Sequence, residues 1–171
     1  NSYGAKLSWL IDEDHFNTSH LDDFRKIAKL LKNKNKSTYK FNSNYKLKNV
    51  LEKFNINYLT NGVNSLKEIP DNSVDLCWSQ VVLEHVSLNE FDLLLNELHR
   101  VLKVNSVSVH SIDFKDHLGG GLNNLRFPPV IWESNFFKSA GFYTNRIRPY
   151  KMIEKFENAA FSVEILNVTK W

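Results

Sequence analysis

Hydrophobic and polar positions fall into blocks along this chain, and the clearest block runs from Pro70 to Lys103. Pro70, Asp71, Asn72 and Ser73 read as a turn, because Pro presets φ and short polar side chains hydrogen-bond their own backbone. Val74 to Ser79 is then a short, largely apolar run in which Asp75 is the only charge. Its length and its Val and Trp favour a strand covered on both faces over a helix. Beyond it, Phe91, Leu94, Leu95, Leu98 and Leu102 recur at helical spacing, while Asn89, Asp92, Asn96, His99, Arg100 and Lys103 take the other face. Ser87 and Glu90 have the spacing of a capping box, and the basic residues sit in the last turn, where the helix dipole favours them. A strand followed by such a helix is half of a parallel α/β unit, which binds ligands beyond the carboxyl ends of its strands.

The same pattern predicts strands at Leu7 to Ile11, Ile56 to Thr60 and Ser106 to Ile112. It predicts a helix over His20 to Lys32, with Leu21, Phe24, Ile27, Ala28 and Leu31 on one face, and a short helix carrying Leu47, Val50, Leu51 and Phe54. Downstream come an apolar segment from Val130 to Ala140 and a helix with Pro149 in its first turn and Met152, Ile153 and Phe156 facing inward. Phe161, Val163 and Ile165 alternate with Ser162 and Glu164, which predicts a last strand over Phe161 to Val168 exposed on one face.

Composition narrows the class. A chain of 171 residues, 42% apolar and 24% charged, can bury one sizeable core and reads as one domain. No apolar run approaches the ~20 residues needed to span a bilayer, and the N-terminus lacks a signal-peptide pattern, so a cytoplasmic location is the default expectation. Cys77 stands alone in the predicted strand, which excludes a disulfide scaffold and a cysteine-rich zinc site. From Arg25 to Lys53 there are ten Lys or Arg against one acid, Glu52, with Tyr39, Phe41 and Tyr45 nearby. Nucleic acid could bind such a patch through phosphate contacts and stacking. The chain as a whole is only +3 and carries no RNA-binding motif, which favours a solvated face instead.

IPDNSVDLCWSQVVLEHV followed by ELHRVLK resembles the fourth-strand region of class I S-adenosylmethionine-dependent methyltransferases, with its turn, acidic strand residue, Leu-Glu-His-Val and Arg-Val-Leu-Lys in order. The resemblance implies a Rossmann-like fold, a three-layer sandwich with a mostly parallel sheet, and S-adenosylmethionine as cofactor. It departs after the helix, where Pro-Gly-Gly is replaced by Val104, Asn105 and Ser106; Asn105 is then expected in the left-handed region. Asp12, at the end of the first predicted strand and followed by Glu13 and Asp14, is the implied partner of the cofactor's ribose hydroxyls; the three acids could equally solvate a strand end. Where the family places an acid against the adenine amine, this chain has Asn61 and Gly62, and Asn61 retains a carbonyl acceptor. Ser79 and Gln80 are expected along the cofactor's other side, with His85 either closing the pocket or held by local packing. The glycine-rich first turn of the family is absent, and the lone Gly4 cannot replace it. The expectation is therefore a fragment lacking the first strand and a last antiparallel strand.

A second constellation, HSIDFKDHLGGGLNNLRF, brings His110, Asp113, Asp116, His117 and three glycines to the end of the strand Ser106 to Ile112. Methyl transfer to a hydroxyl needs alignment, exclusion of water and removal of a proton, and a His beside a carboxylate suits the last task. His117 is the candidate general base, with Asp113 or Asp116 orienting it. The same residues could instead hold a divalent metal that binds vicinal hydroxyls, or simply form a hydrogen-bonded turn. Gly119 to Gly121 lack the Gly-Lys-Ser/Thr of a phosphate loop and fit a lid. NNLRF and FYTNRIR resemble a subgroup of uncharacterised methyltransferase-like proteins. Asn123, Asn124 and His110 are candidate acceptor contacts, and Arg126, Arg146 and Arg148 could pair with an acidic acceptor or form surface salt bridges.

The expected organisation is a single partial domain, with residues 1–112 on the cofactor side, 113–148 on the acceptor side and 149–171 a closing helix and strand. The expected activity is methyl transfer to oxygen or nitrogen of a small-molecule, glycan-like acceptor, with no membrane partner and no nucleic acid. The alternative is a non-catalytic α/β interaction module that binds an acidic partner through the Arg25 to Lys53 patch.

Overall fold

The computed structural model of the chain describes residues 4–14, 21–34 and 47–169, in two compact units, Asn1–Ser65 and Leu66–Trp171. In the first, strand β1 (Ser8–Ile11) runs parallel to β2 (Ile56–Leu59), with Ser8 opposite Ile56 and Ile11 opposite Leu59. Helices α1 (Leu21–Asn33) and α2 (Leu47–Lys53) lie between them in the chain. Asn55, at φ 51°, turns the chain out of α2 in the left-handed conformation that Asn tolerates. Its side-chain amide donates to the Lys6 carbonyl at 3.2 Å and its carbonyl accepts from Ser8 N at 3.0 Å, so one residue ends the helix and aligns both strands. On α1, Ala28 and Leu31 are half-buried as the periodicity predicts, whereas Ile27 is exposed. Tyr39, Phe41 and Tyr45, with much of the basic stretch, lie outside the described residues.

The second unit is built on β3 (Val74–Gln80), α3 (Leu88–Val101) and β4 (Leu102–Ser111), a parallel βαβ arrangement in which Leu76 pairs with Val107 and Gln80 with Ser111. Phe91, Leu94, Leu95, Leu98 and Val101 form the buried stripe of α3. The predicted Ser87–Glu90 box takes another form: the Ser87 hydroxyl donates to the Glu90 carboxylate and makes no cap bond to the first turn. Register jumps from Val74↔Leu102 to Leu76↔Val107, so residues 103–106 bulge, and Asn105 adopts φ 62° where the family's glycines would stand. Arg100 fastens this joint to the turn before β3. Its guanidinium donates to the carbonyls of Leu66 (2.8 Å) and Ile69 (2.9 Å) and to the carboxylates of Glu97 and Asp71.

Short helices α4 (Pro129–Trp132) and α5 (Asn135–Lys138) replace the single apolar segment read from the sequence. They gather Phe127, Trp132, Phe137, Phe142 and Tyr143 into an aromatic cluster with ring centroids 5.0–6.1 Å apart. Helix α6 (Pro149–Asn158) follows, with Met152 and Phe156 buried and Ile153 half-buried. Two expectations are corrected. No strand forms over Phe161 to Val168: residues 161–169 have no regular structure, and Ile165, Leu166 and Val168 are exposed. Alternation fits a strand, but a strand exists only where a neighbour completes its hydrogen bonds, and among the described residues none does. Nor is β3 covered on both faces. Leu76, Trp78, Val107 and Val109 share one face of the β3–β4 pair and are 63, 66, 55 and 36% exposed. Among the described residues no helix is long and apolar enough to cross a membrane.

Candidate functional site

The carboxyl edge of the first unit gathers acids and an amide. Asp12 follows β1, and its carbonyl accepts from Gly62 N at 2.9 Å, which fixes the end of β1 beside the turn after β2. The Asp12 carboxylate accepts from Glu13 N at 3.0 Å and from the Tyr58 hydroxyl at 3.3 Å, one donor on each oxygen. A carboxylate oxygen accepts two hydrogen bonds, so each retains a lone pair for a further hydroxyl. Gly62 has φ 50°, and a Cβ there would stand 3.2 Å from a Glu13 carboxylate oxygen, so glycine serves both the turn and the close approach. The Asn61 side chain is exposed, while its backbone N–H donates to the Ser65 hydroxyl at 2.9 Å.

In the second unit β3 ends at a strained residue. Val81 has φ 54°, a region that a β-branched side chain rarely occupies, and its N–H donates to the Ser111 carbonyl at 2.8 Å. The chain then turns through Leu83, Glu84, His85 and Val86. Asn145 holds that turn from 59–62 residues away: its amide donates to the Leu83 (2.8 Å) and Val86 (2.9 Å) carbonyls, and its N–H donates to the Glu84 carbonyl at 2.7 Å. Glu84 is therefore buried, 3% exposed. One of its oxygens accepts from Asp113 N at 3.0 Å, and the other, Oε2, has no hydrogen-bond partner. His85 Nδ1 lies 2.6 Å from the Tyr143 carbonyl; a carbonyl can only accept, so Nδ1 carries a proton, and in the neutral ring Nε2 is then the lone-pair atom. The His117 ring is 5.0 Å from that of His85, and its Nε2 is 3.5 Å from Asp113 Oδ2.

Asp116 stands apart from this group. Its carboxylate accepts from Leu118 N (2.9 Å) and Asn123 N (2.7 Å), while the Asn123 amide donates to the Leu118 and Gly120 carbonyls. These bonds tie down the glycine loop, whose three residues all have φ between 71° and 84°. Of the two acids expected to orient His117, only Asp113 has its carboxylate beside the imidazole, and Asp116 anchors the loop. Asn124 is buried and its amide donates to the Thr144 hydroxyl at 3.3 Å. Arg146 stacks on Trp132, 4.3 Å from the ring centroid, and donates to the Asn124 and Phe127 carbonyls. Burial lowers its pKa, against the carboxylates of Glu133 and Asp116 and the Tyr143 phenol. Burial, then the Glu133 carboxylate, pushes the Tyr143 phenol up. Arg126 and Arg148 are exposed, and Arg148 lines a cleft shared by Glu84, Asp113, Asp116, Asn124 and Asn145. That cleft has a volume of about 30 Å³, room for a water or two.

Ser79 and His110, expected at cofactor and acceptor, bond to each other. Ser79 Oγ lies 2.7 Å from His110 Nδ1 and Ser108 Oγ lies 2.6 Å from Nε2, with Phe156 packed at 5.5 Å. Burial lowers the His110 pKa to about 4. Gln80 is exposed at the strand end. The sequence reading missed Glu84, Asn145 and Tyr143. Glu84 is the one acid of the turn, next to His85.

A family model for the methyltransferase domain matches residues 19–109. Among solved structures, a SAM-dependent methyltransferase from Archaeoglobus fulgidus matches at 16% identity with a TM-score of 0.49, over 94% of this chain and 63% of that one. The chain thus spans less than two thirds of the length of that solved protein. No curated protein matches.

Proposed function

Because this chain belongs to the methyltransferase domain family, we propose that it takes part in methyl transfer from S-adenosylmethionine to a small-molecule acceptor at oxygen or nitrogen. The observation that carries this reading is the carboxyl edge of the parallel β1–β2 pair, where Asp12 keeps acceptor capacity on both oxygens beside the exposed Asn61 and a glycine turn. That donor and acceptor set suits a nucleoside. Asp12 would accept from the two ribose hydroxyls, and the Asn61 side-chain carbonyl would accept from the adenine amine. The bound cofactor supplies an activated methyl group on a sulfonium centre.

The chain's own residues would provide the rest. His117 would take the acceptor's proton, with the Asp113 carboxylate at 3.5 Å stabilising the imidazolium that forms. Exposed Arg126 and Arg148 would draw an acidic acceptor, a role less suited to Arg146, whose two terminal guanidinium nitrogens donate to main-chain carbonyls. Asn123, Ser79 and His110 act on this reading as supports, since their polar groups already have partners within the chain, and buried Asn124 is held through its amide by the Thr144 hydroxyl.

The test is calorimetric titration with S-adenosylhomocysteine, the stable product. Saturable binding is expected, weakened in Asp12→Ala by about 1–3 kcal/mol, the scale of a lost charge-assisted hydrogen bond. Unchanged affinity in Asp12→Ala removes that residue from the site, and no binding by the unaltered chain sinks the cofactor reading.

A further inference from the structure

We propose that Glu84, His85 and His117 form a binding site for one divalent transition-metal ion of the zinc class. One ligand atom from each residue, a carboxylate oxygen and two imidazole nitrogens, lies within 4.8 Å of the others. Around a tetrahedral ion with bonds near ~2.0–2.2 Å, ligand atoms stand roughly 3.3–3.5 Å apart, so small rotamer changes close the triangle.

The strongest mark of a missing ligand is Glu84. Its side chain is almost wholly buried, Asp113 N satisfies only Oε1, and Oε2 has no partner. A buried carboxylate oxygen left bare is costly, and a cation removes that cost. His85 supplies the second mark. Its Nδ1–H is held by the Tyr143 carbonyl at 2.6 Å, which fixes the ring and leaves Nε2 as a lone-pair donor, the arrangement usual for a metal-bound imidazole. His117 completes the set, with Asp113 at 3.5 Å from its Nε2 as the orienting carboxylate that such ligands commonly have.

Ligand chemistry selects the ion. Two imidazoles and one carboxylate favour zinc, iron, cobalt or nickel, whereas magnesium and calcium demand a shell of oxygens. Three protein ligands leave a coordination position open, available to water or to an acceptor hydroxyl, whose acidity the ion would raise. With the ion bound, His117 is a ligand and the ion assumes the task of activating the acceptor. The site does not depend on the methyl-transfer reading, because metal binding can be measured with no cofactor present.

The experiment uses the untagged chain, stripped with a chelator and titrated with Zn²⁺ by calorimetry and with Co²⁺ by visible absorption. One ion per chain and the intense d–d bands of four- or five-coordinate Co²⁺ are expected. Glu84→Gln and His117→Gln should each weaken Zn²⁺ binding at least tenfold, while His99→Gln, on the far helix α3, should leave it unchanged. Circular dichroism would show that the variants are folded; should Glu84→Gln unfold, His117→Gln in the half-buried loop carries the test. Absence of stoichiometric binding, or equal affinity in His117→Gln, overturns the site. Failure of S-adenosylhomocysteine to bind would leave these results intact.

Discussion

Burial decides the charge of His110. With its pKa near 4 instead of the usual 6.5, the folded chain keeps the imidazole neutral while the unfolded chain protonates it as pH falls through 6.5. Between pH 6.5 and 4 the unfolded state therefore binds the extra proton, and stability declines as pH falls, by no more than about 1.4 kcal/mol per pH unit for one group. Below pH 4 both states are protonated and the effect levels off. Thermal unfolding across this window should show a shallower acid decline in His110→Gln than in the parent; parallel curves would mean that other groups set the acid limit. At this scale the sequence was a partial guide. It brought His117 and Asp113 to one strand end, and Asn105 adopts the left-handed turn expected of it. It could not show that Glu84 is buried, because that burial is imposed by Asn145, far along the chain.

Asn145 shows what one side chain does for an element. Its amide closes the turn between β3 and α3 through two carbonyls, and its own oxygen accepts from Ile147 N at 3.1 Å, all in a residue 2% exposed. Asn145→Ala would leave those groups buried and unpaired, a cost on the order of 3 kcal/mol. Urea unfolding should show that loss, and a midpoint equal to the parent's would mean that water replaces the amide. Elements whose signals are local were legible: α3 carries its own stripe and α6 its Pro149. The predicted strand over Phe161 to Val168 failed because pairing is a property of two segments, and alternation in one says nothing of the other. The apolar run from Val130 broke at Ser134, which stands at the N-cap position of α5.

At the scale of the whole molecule, the family match and the parallel pairs agree with the α/β class expected from the strand–helix pattern, while the division into two units after Ser65 had no signature in the sequence. The open face of the β3–β4 pair, with Leu76, Trp78, Val107 and Val109, has a consequence in colloidal terms. A net charge of +3 gives weak mutual repulsion, and salt screens it further. Sulfate also strengthens the drive to hide apolar surface. The chain should thus salt out early, its scattering radius growing with ammonium sulfate at concentrations where Trp78→Lys stays monodisperse; identical precipitation curves would place the adhesive surface elsewhere. In handling terms, this face should set the solubility limit.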